Sequence, residues 1–381
     1  MTIKRIRIRN FKVFKDACVK DLGKMNVFLG INGSGKTTLF DVFGFLTDAL
    51  QNNMTVAINR RGGFSQVLTR GCNIKTDSVS IEIEFTHIDG ESFNYSIEIA
   101  EKLGKAIIKS EILKKHGDTL NILDFHDGKG TVLGEHDMKP TSYNTASPDI
   151  LAIKGLGQFE RFKAISSFRA LLEKCYISNF RIEYGRNISD TGLSEHLSAT
   201  GDNLAQVTKY MYEYHPELFG SILEKLPLRI PGVNKVEAKE TEDGRIVLRF
   251  QDEHFKDPFV SRYVSDGTIK MFACMILLYD PEPHPLLCIE EPENFFHPDL
   301  LPELCEEIRG YADRGGQIFV STHSPDFVNG VRIDELYYLE KENGYTQIKA
   351  VRNNDLIRSL SEKNQLGWLW RNHYIQGASL K

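Results

Sequence analysis

Residues 30–37 read G-I-N-G-S-G-K-T, the spacing of a phosphate-binding loop. Glycines let successive backbone N–H groups point at one anion, because they carry no Cβ that would obstruct the turn. We expect Lys36 to contact the β- and γ-phosphates of a nucleotide and the Thr37 hydroxyl to bind Mg²⁺. The alternative is a glycine-rich turn that contains a lysine by chance. The other residues of the predicted nucleotide site are Asn32, Gly33, Ser34, Gly35 and Thr38.

Two adjacent acids, Glu290 and Glu291, follow the apolar run L-L-C-I at 286–289. A phosphate loop needs an acidic partner that holds Mg²⁺ and positions water. We assign Glu290 to the metal, through a bound water, and Glu291 to orienting and deprotonating the attacking water. Because neighbouring strand residues face opposite sides, the backbone has to turn near Pro292 for both acids to serve. The alternative is a solvated acidic loop.

A histidine follows the next apolar run, in the segment S-T-H-S-P at 321–325. A neutral imidazole at this place can hydrogen-bond the γ-phosphate or the attacking water. We therefore expect His323 to act in catalysis with Lys36 and Glu291. The alternative is a polar residue that only caps a strand end.

The composition is that of an ordinary globular chain. Of 381 residues, 41% are hydrophobic and 26% are charged, which is enough core for two or three domain-sized units. No apolar run approaches bilayer-spanning length, and no apolar segment follows the basic first residues, so we expect no membrane segment and no signal peptide. The six cysteines form no C-x-x-C pair, which predicts neither a zinc site nor a disulfide framework and favours a cytoplasmic location.

The net charge of −5 argues against a wholly basic nucleic-acid binder. Cations nevertheless crowd the first predicted strand. They form either a local basic track for DNA or the solvated face of a strand. These cations are Lys4, Arg5, Arg7, Arg9 and Lys12.

Hydrophobic periodicity predicts the elements that position these residues. A β-prone run at 27–29 precedes the phosphate loop, and apolar residues at helical spacing follow it, which places the loop at a helix N-terminus. The predicted strands lie at 78–87, 93–99, 105–113, 286–289 and 318–321, with a hairpin at 236–250. The predicted helices lie at 158–175, 193–226 (two or three, stopped before Pro227), 269–279 and 300–312. Residues 115–147 are predicted to be loops. Buried strands separated by helices predict a parallel sheet covered on both faces.

With V-S-D-G-T at 264–268 added, the chain resembles the ABC-type ATPases of the SMC and RecF branch, more closely the RecF-like bacterial ATPases without a long coiled coil. The other matching segments are I-R-N-F-K-V-F at 8–14, the phosphate loop, I-E-E-P-E-N-F-F-H-P at 289–298, and S-T-H-S-P. The resemblance implies an α/β fold, an ABC-type ATPase head whose mixed sheet carries an antiparallel lobe and a helical lobe around a P-loop core. It also implies ATP and Mg²⁺ as cofactors.

The resemblance further implies a site shared between two copies of the chain. Ser265 and Gly267 would contact the γ-phosphate bound by a second subunit across a two-fold dimer. The alternative for this segment is a helix cap begun by Ser265 or Asp266, and both can be true. Gln158, just before a helical stretch, is the candidate for the glutamine that senses Mg²⁺ and water.

We expect an N-terminal ATPase lobe at 1–180, a helical and hairpin lobe at 181–260, and a C-terminal ATPase lobe at 261–381. By resemblance, the protein is an ATP-hydrolysing switch that dimerises on ATP and gates DNA processing or an effector, in DNA repair or anti-phage defence. The stretch after Leu339 is too short for the nuclease domain of some overcoming-lysogenization-type relatives, so we expect any nuclease to be a partner. The alternatives are an ATP-bound scaffold for a nuclease and a transport-type ATPase subunit, against which the I-R-N-F start and the E-E-P-E-N variant argue.

Overall fold

The structure is a computed structural model that describes residues 1–134 and 139–377. Its strands are β1 (Thr2–Phe11), β2 (Phe14–Val19), β3 (Met25–Leu29), β4 (Val79–Thr86), β5 (Ser92–Lys102), β6 (Lys105–Lys115), β7 (Asn121–His126), β8 (Lys129–Leu133), β9 (Pro140–Asn144), β10 (Tyr176–Ser178), β11 (Ser189–Asp190), β12 (Val233–Glu240), β13 (Arg245–Asp252), β14 (Phe259–Val260), β15 (Leu286–Glu290), β16 (Gln317–Thr322), β17 (Leu336–Glu342) and β18 (Tyr345–Ala350). Its α-helices are α1 (Lys36–Gln51), α2 (Met54–Asn59), α3 (Phe64–Val67), α4 (Ala152–Leu156), α5 (Lys163–Glu173), α6 (Ile182–Gly185), α7 (Leu204–Tyr214), α8 (Pro216–Arg229), α9 (Asp266–Leu278), α10 (Leu301–Asp313), α11 (Pro325–Val328), α12 (Asp355–Ser361) and α13 (Leu366–Arg371).

Eight strands form an antiparallel sheet in the order β2-β1-β4-β5-β6-β7-β8-β9. In β4 every second side chain is buried, as the period-two pattern predicts. The prediction of loops at 115–147 was wrong for β7, β8 and β9, which extend this sheet by antiparallel pairing; residues 135–138 of that range lie outside the described residues. These strands bury few side chains, among them Leu123, Phe125 and Val132, so their composition resembles that of loops.

The central sheet has the order β10-β15-β16-β3-β17-β18. Its first five strands run parallel, and β18 pairs antiparallel with β17. The strands predicted at 286–289 and 318–321 are confirmed as β15 and β16. Because the carboxyl ends of parallel strands meet at one edge, the segments that follow β3, β15 and β16 converge there.

Both faces of the central sheet are covered, as predicted. Alternate residues of β3 enter different cores: Phe28 packs in a core shared with α1 and the antiparallel sheet, and Val27 and Leu29 in a core shared with α9 and α10. The first core also holds Phe85 and Phe168, whose rings stack with centroids 4.9 Å apart. The phosphate-loop strand is therefore fixed from two sides.

A third, smaller sheet contains β11, β12, β13 and β14 and packs beside α7 and α8. The hairpin predicted at 236–250 is confirmed, and Gly244 at its turn has φ +73°. The predicted helix stop before Pro227 was wrong, because α8 continues to Arg229. Pro227 lies in the last turn, where it removes one backbone hydrogen bond, and Arg229 is held by ion pairs with Glu303 and Glu307.

No helix in the described parts of the chain is long and apolar enough to cross a membrane.

Candidate functional site

The phosphate loop joins β3 to α1, the arrangement that the sequence predicts. Gly33 and Gly35 adopt φ values of +77° and +105°, which glycine reaches without a steric penalty. The Lys36 ammonium donates to the carbonyl oxygens of Gly30 at 2.6 Å and Ile31 at 3.1 Å, so the side chain folds back over the loop. The N-terminal N–H groups of α1 lie at this loop and favour an anion.

Two contacts from distant parts of the chain fix this loop. The Thr346 hydroxyl of β18 donates to the Ser34 carbonyl oxygen at 2.8 Å. A Cβ added at Gly35 would lie 2.9 Å from a methyl carbon of Val13. The loop is therefore wedged between the β1–β2 turn and β18, and neither contact was anticipated from the sequence.

Thr37 and Glu290 meet at the carboxyl edge of the central sheet. The Thr37 hydroxyl donates to Oε2 of Glu290 at 3.0 Å. Burial raises the pKa of Glu290, and the neighbouring Glu291 carboxylate acts in the same direction. A hydroxyl and a carboxylate at hydrogen-bond distance are oxygen ligands of the kind that Mg²⁺ takes, and a cation would offset the cost of burying the carboxylate.

Glu291 occupies a left-handed backbone conformation with φ +44°. This is the chain reversal that the sequence requires, one residue earlier than Pro292, and the Glu291 N–H donates to the Ser321 carbonyl at 2.9 Å. The Glu291 carboxylate lies 3.1 Å from Nδ1 of His323 and accepts from the Asn294 amide at 3.1 Å. Thus the structure brings together the two residues predicted to act on water.

Burial by itself would raise the pKa of Glu291. The Asn294 hydrogen bond and the His323 and Lys36 charges outweigh it, and the pKa is lowered. Burial lowers the pKa of Lys36, opposed by the charges of the nearby glutamates. Glu291 is therefore ionised at neutral pH and able to accept a hydrogen bond from water.

Glu293 is a third acid at this edge, and sequence reasoning missed it. Its Oε1 accepts hydrogen bonds from the Thr322 hydroxyl at 2.6 Å and from the His323 N–H at 3.1 Å. The side chain is 6% exposed. Glu293 thus holds the end of β16 and positions His323, and the third acid of E-E-P-E was the available signal.

Three buried polar atoms at this edge have no hydrogen-bond partner within residues 1–134 and 139–377: Ser34 Oγ, Ser321 Oγ and Glu293 Oε2. Ser321 pairs in register with Glu290. Buried polar atoms are normally satisfied, so a group of unsatisfied ones at one edge indicates a place for a polar ligand.

The V-S-D-G-T segment starts α9. Ser265 is the N-cap and accepts from the Thr268 N–H at 3.2 Å, which confirms the helix-cap interpretation. A Cβ at Gly267 would lie 2.8 Å from the Phe295 carbonyl oxygen, so only glycine fits there. Ser265 is exposed and, across the described residues, has no hydrogen bond with the phosphate loop.

Residues 25–329 match the protein family described as "AAA domain, putative AbiEii toxin, Type IV TA system". The chain belongs to this family. An Smc head bound to the C-winged helix domain of ScpA is similar with a TM-score of 0.58 and 14% identity, over 91% of this chain and 97% of that chain. A Pyrococcus furiosus Smc head with an extended coiled coil, bound to the C-terminal domain of ScpA, gives a TM-score of 0.53 and 12% identity, over 95% and 100%. No curated protein matches the chain.

The family match and these similarities support the resemblance to SMC- and RecF-like ABC-type ATPases. The fold of this AAA-domain protein is the mixed α/β fold of an SMC head. At such low identity the similarity to the Smc heads concerns the fold alone.

Lys270 links α9 to the acidic loop, which we define as residues 291–296. This buried ammonium donates to the carbonyl oxygens of Glu291 at 3.2 Å and Asn294 at 2.9 Å. It also lies 5.6 Å from the ring centroid of Phe295. Burial lowers the pKa of Lys270, opposed by the Cys274, Glu293 and Glu291 charges. Sequence reasoning missed Lys270, because inside an apolar helix it has no local signal.

Gln158 is not brought to the site of this AAA-domain protein, and its assignment to metal was wrong. It is exposed just after α4, where Lys154 donates to the Gln51 carbonyl oxygen at 3.0 Å. Gln51 ends α1, and the 15 residue steps from Lys36 span about 22 Å at 1.5 Å per residue. The polar residue that follows β10 at the nucleotide edge is Asn179, since β10 ends beside Ile289.

Three of the five cations in and just after β1 are paired with acids. Arg7 lies 2.8 Å from Asp16, and Arg9 is 3.8 Å from the same carboxylate. Lys12 lies 2.6 Å from Asp41. This pairing favours the solvated strand face over a basic track for DNA.

Proposed function

We propose that this protein binds and hydrolyses ATP with Mg²⁺. The observation that carries the proposal is the contact between Glu291 and His323. The residue next to Glu291 in the sequence, Glu290, contacts Thr37 of the phosphate loop. A carboxylate in contact with an imidazole can activate water for attack on a γ-phosphate when it lies beside a phosphate loop and a metal-binding pair, here Thr37 and Glu290.

The residues at the sheet edge fit a hard divalent cation. Thr37 and Glu290 would hold it with oxygen ligands. Nearby, the buried hydroxyls of Ser34 and Ser321 have no hydrogen-bond partner in the described part of the chain. When bound, Mg²⁺ supplies charge neutralisation of the phosphates.

The chain's own residues then divide the work. Lys36 would exchange its two carbonyl acceptors for phosphate oxygens, which are stronger acceptors for an ammonium. Glu291 would orient water and accept its proton. His323, with Nδ1 facing Glu291, keeps Nε2 for the γ-phosphate or the water.

We further propose that two copies sandwich ATP, with Ser265 and Gly267 of one copy capping the γ-phosphate bound by the other. The N-terminus of α9 supports this assignment, because it is exposed and carries a favourable dipole for an anion. It has no hydrogen bond to the phosphate loop of its own described chain.

The test is ATP turnover and light scattering with Glu291→Gln, which keeps the shape and removes the base. We expect turnover to fall by at least about 100-fold, the usual contribution of a general base, while the ATP-bound protein stays dimeric. Glu98→Gln, on β5 away from the site, is the matched control. Unchanged turnover would show that Glu291 is not the base. A protein that stays monomeric at saturating ATP would contradict the proposed dimer with ATP between the two copies.

The dimerisation cycle would gate a client. Two similar Smc heads are bound to ScpA domains, which supports a protein effector, and the pairing of the β1 cations gives less support to DNA. DNA repair or anti-phage defence is the setting we propose. Slow hydrolysis that no client stimulates, with a stable ATP-bound assembly, would favour an ATP-bound scaffold for a nuclease.

A further inference from the structure

Three side chains with metal-binding atoms meet away from the nucleotide edge. They are His196, Asp280 and His284, and one ligand atom from each lies within 4.8 Å of the others. Asp280 follows α9, His284 precedes β15, and His196 lies in the segment before α7. The cluster therefore joins the helical lobe to the amino-terminal edge of the central sheet, opposite the phosphate loop.

The orientation of His284 is set by its surroundings. Its Nδ1 lies 3.2 Å from the Lys174 carbonyl oxygen, which accepts only from a protonated nitrogen, so Nε2 carries the lone pair. The ring stacks on Tyr176 with centroids 4.8 Å apart. Nε2 of His284 is buried and has no hydrogen-bond partner among the residues that the structure describes. A carbonyl that fixes the tautomer of a histidine is the usual support of a histidine metal ligand.

Asp280 supplies a deeply buried carboxylate, 3% exposed, that faces both histidines. Its Oδ2 lies 2.8 Å from Nδ1 of His196 and 4.0 Å from Nε2 of His284. Its Oδ1 accepts from the Glu282 N–H at 2.9 Å, which holds the carboxylate in place. A carboxylate this buried is costly unless a cation is beside it.

We propose that His196, Asp280 and His284 bind one divalent transition-metal ion of the Zn²⁺ class. Two imidazoles and one carboxylate suit Zn²⁺, whose tetrahedral sites accept three protein ligands and a water. His196 is 40% exposed, so the fourth position faces an entry path from solvent. The prediction of no zinc site rested only on the spacing of the cysteines. His196 is far along the sequence from Asp280 and His284, and the three residues come together only in the fold.

The ion would fasten the loop before α7 to the end of α9. The loop carries His196, and the Asn203 side chain donates to the His196 carbonyl oxygen at 2.9 Å. Because Ser265 caps the N-terminus of α9, the ion would fix the helix that carries the predicted γ-phosphate cap from its other end. Zn²⁺ binding itself does not depend on ATP hydrolysis by this protein.

To test this, the full chain is treated with a chelator and redialysed, and Zn²⁺ is added with Mg²⁺ in excess. Competition with a fluorescent chelator then measures Zn²⁺ binding. We expect one Zn²⁺ per chain. His196→Ala and Asp280→Asn should each weaken binding by at least about 10- to 100-fold, since residues that merely support ligands already cost that much. His196 is part-exposed, so its variant leaves the core intact, and circular dichroism checks this.

The matched control is His254→Ala, an exposed histidine beside Asp252, which should leave Zn²⁺ binding unchanged. The proposal is overturned if the wild-type chain binds no Zn²⁺ saturably, or if binding survives both His196→Ala and Asp280→Asn. It is equally overturned if only His323→Ala removes the ion, because the ion would then sit at the nucleotide edge.

Discussion

The two halves of the proposed nucleotide site differ in how complete they are within one chain. The phosphate-loop half is assembled by mutual contacts, since Thr37 meets Glu290 and Glu291 meets His323. The half that starts α9 is exposed, and among the described residues the Ser265 side chain bonds only to Thr268 in its own helix. This difference is what the proposed shared site requires, with one half acting within a chain and the other on a second copy.

Mixing two inactive variants would test this division most directly. Lys36→Ala loses the phosphate contact, and Ser265→Arg blocks the exposed helix start, so each alone should lower turnover by at least about 100-fold. In a mixed dimer one site combines the intact halves. With random pairing, an equimolar mixture should recover up to about one quarter of the wild-type rate per chain.

Turnover that stays absent on mixing, while scattering shows mixed dimers, would contradict a shared site. The control is a mixture of Lys36→Ala with a second Lys36 variant, which cannot rebuild either site.

A pH series would separate the stability of the fold from the activity of the site. Burial raises the pKa of Glu111 to about 7, although the Ala152 and Ile153 N–H groups and Tyr95 hydrogen-bond it. The pKa of Glu111 is higher in the folded chain than in the unfolded one. The contribution of Glu111 to the stability of the folded chain is therefore full below about pH 4.5 and is lost as pH rises towards 7. The free energy of unfolding should fall by about 2 kcal/mol between pH 5 and 8.

Denaturant titration at each pH measures that change. Glu111→Gln should show a flatter profile than the wild-type chain, and an equal slope in both would exclude Glu111 as its source. Glu111 caps α4, which lies beside the end of α1 that is away from the phosphate loop. We therefore expect the pH dependence of ATP turnover to differ from the pH dependence of the free energy of unfolding.

The smallest expected effect concerns the link between the two halves. Lys270→Met keeps the length of the side chain but removes the hydrogen bonds to the Glu291 and Asn294 carbonyls, so the acidic loop should hold Glu291 less well. We expect kcat to fall about 10-fold with little change in KM, because nucleotide binding itself is untouched. Steady-state kinetics measure both constants.

The control is Lys225→Met, the same change at a lysine that pairs with Glu307 and lies away from the acidic loop. An equal loss in both variants would mean a general effect on the fold. Recovery of kcat by Lys270→Arg would support the positioning role.

The sequence predicted most reliably what is encoded locally. The phosphate loop, the turn at Glu291 and the place of His323 each follow from a short run of residues, and the structure confirms their positions. The chemical roles of these residues stay predictions. The assignment of Gln158 to the metal was wrong, because it rested only on the position of this residue before a helical stretch.

Other features depend on partners far along the chain. Thr346 reaches Ser34 across 312 positions, and Glu293 reaches Thr322 across 29. β7, β8 and β9 formed within the predicted loops because β6 offered an edge for β7, and each new strand offered an edge for the next. No local pattern carries such information, because tertiary contacts decide it.

The position of β3 between β16 and β17 has a consequence for synthesis of the protein. The phosphate-loop strand leaves the ribosome before both strands that pair with it, which are translated roughly 290 and 310 residues later. Until then its backbone donors and acceptors lack their sheet partners. The nascent chain would therefore hold the phosphate-loop strand without its sheet partners, exposed to chaperones, until both β16 and β17 have been made.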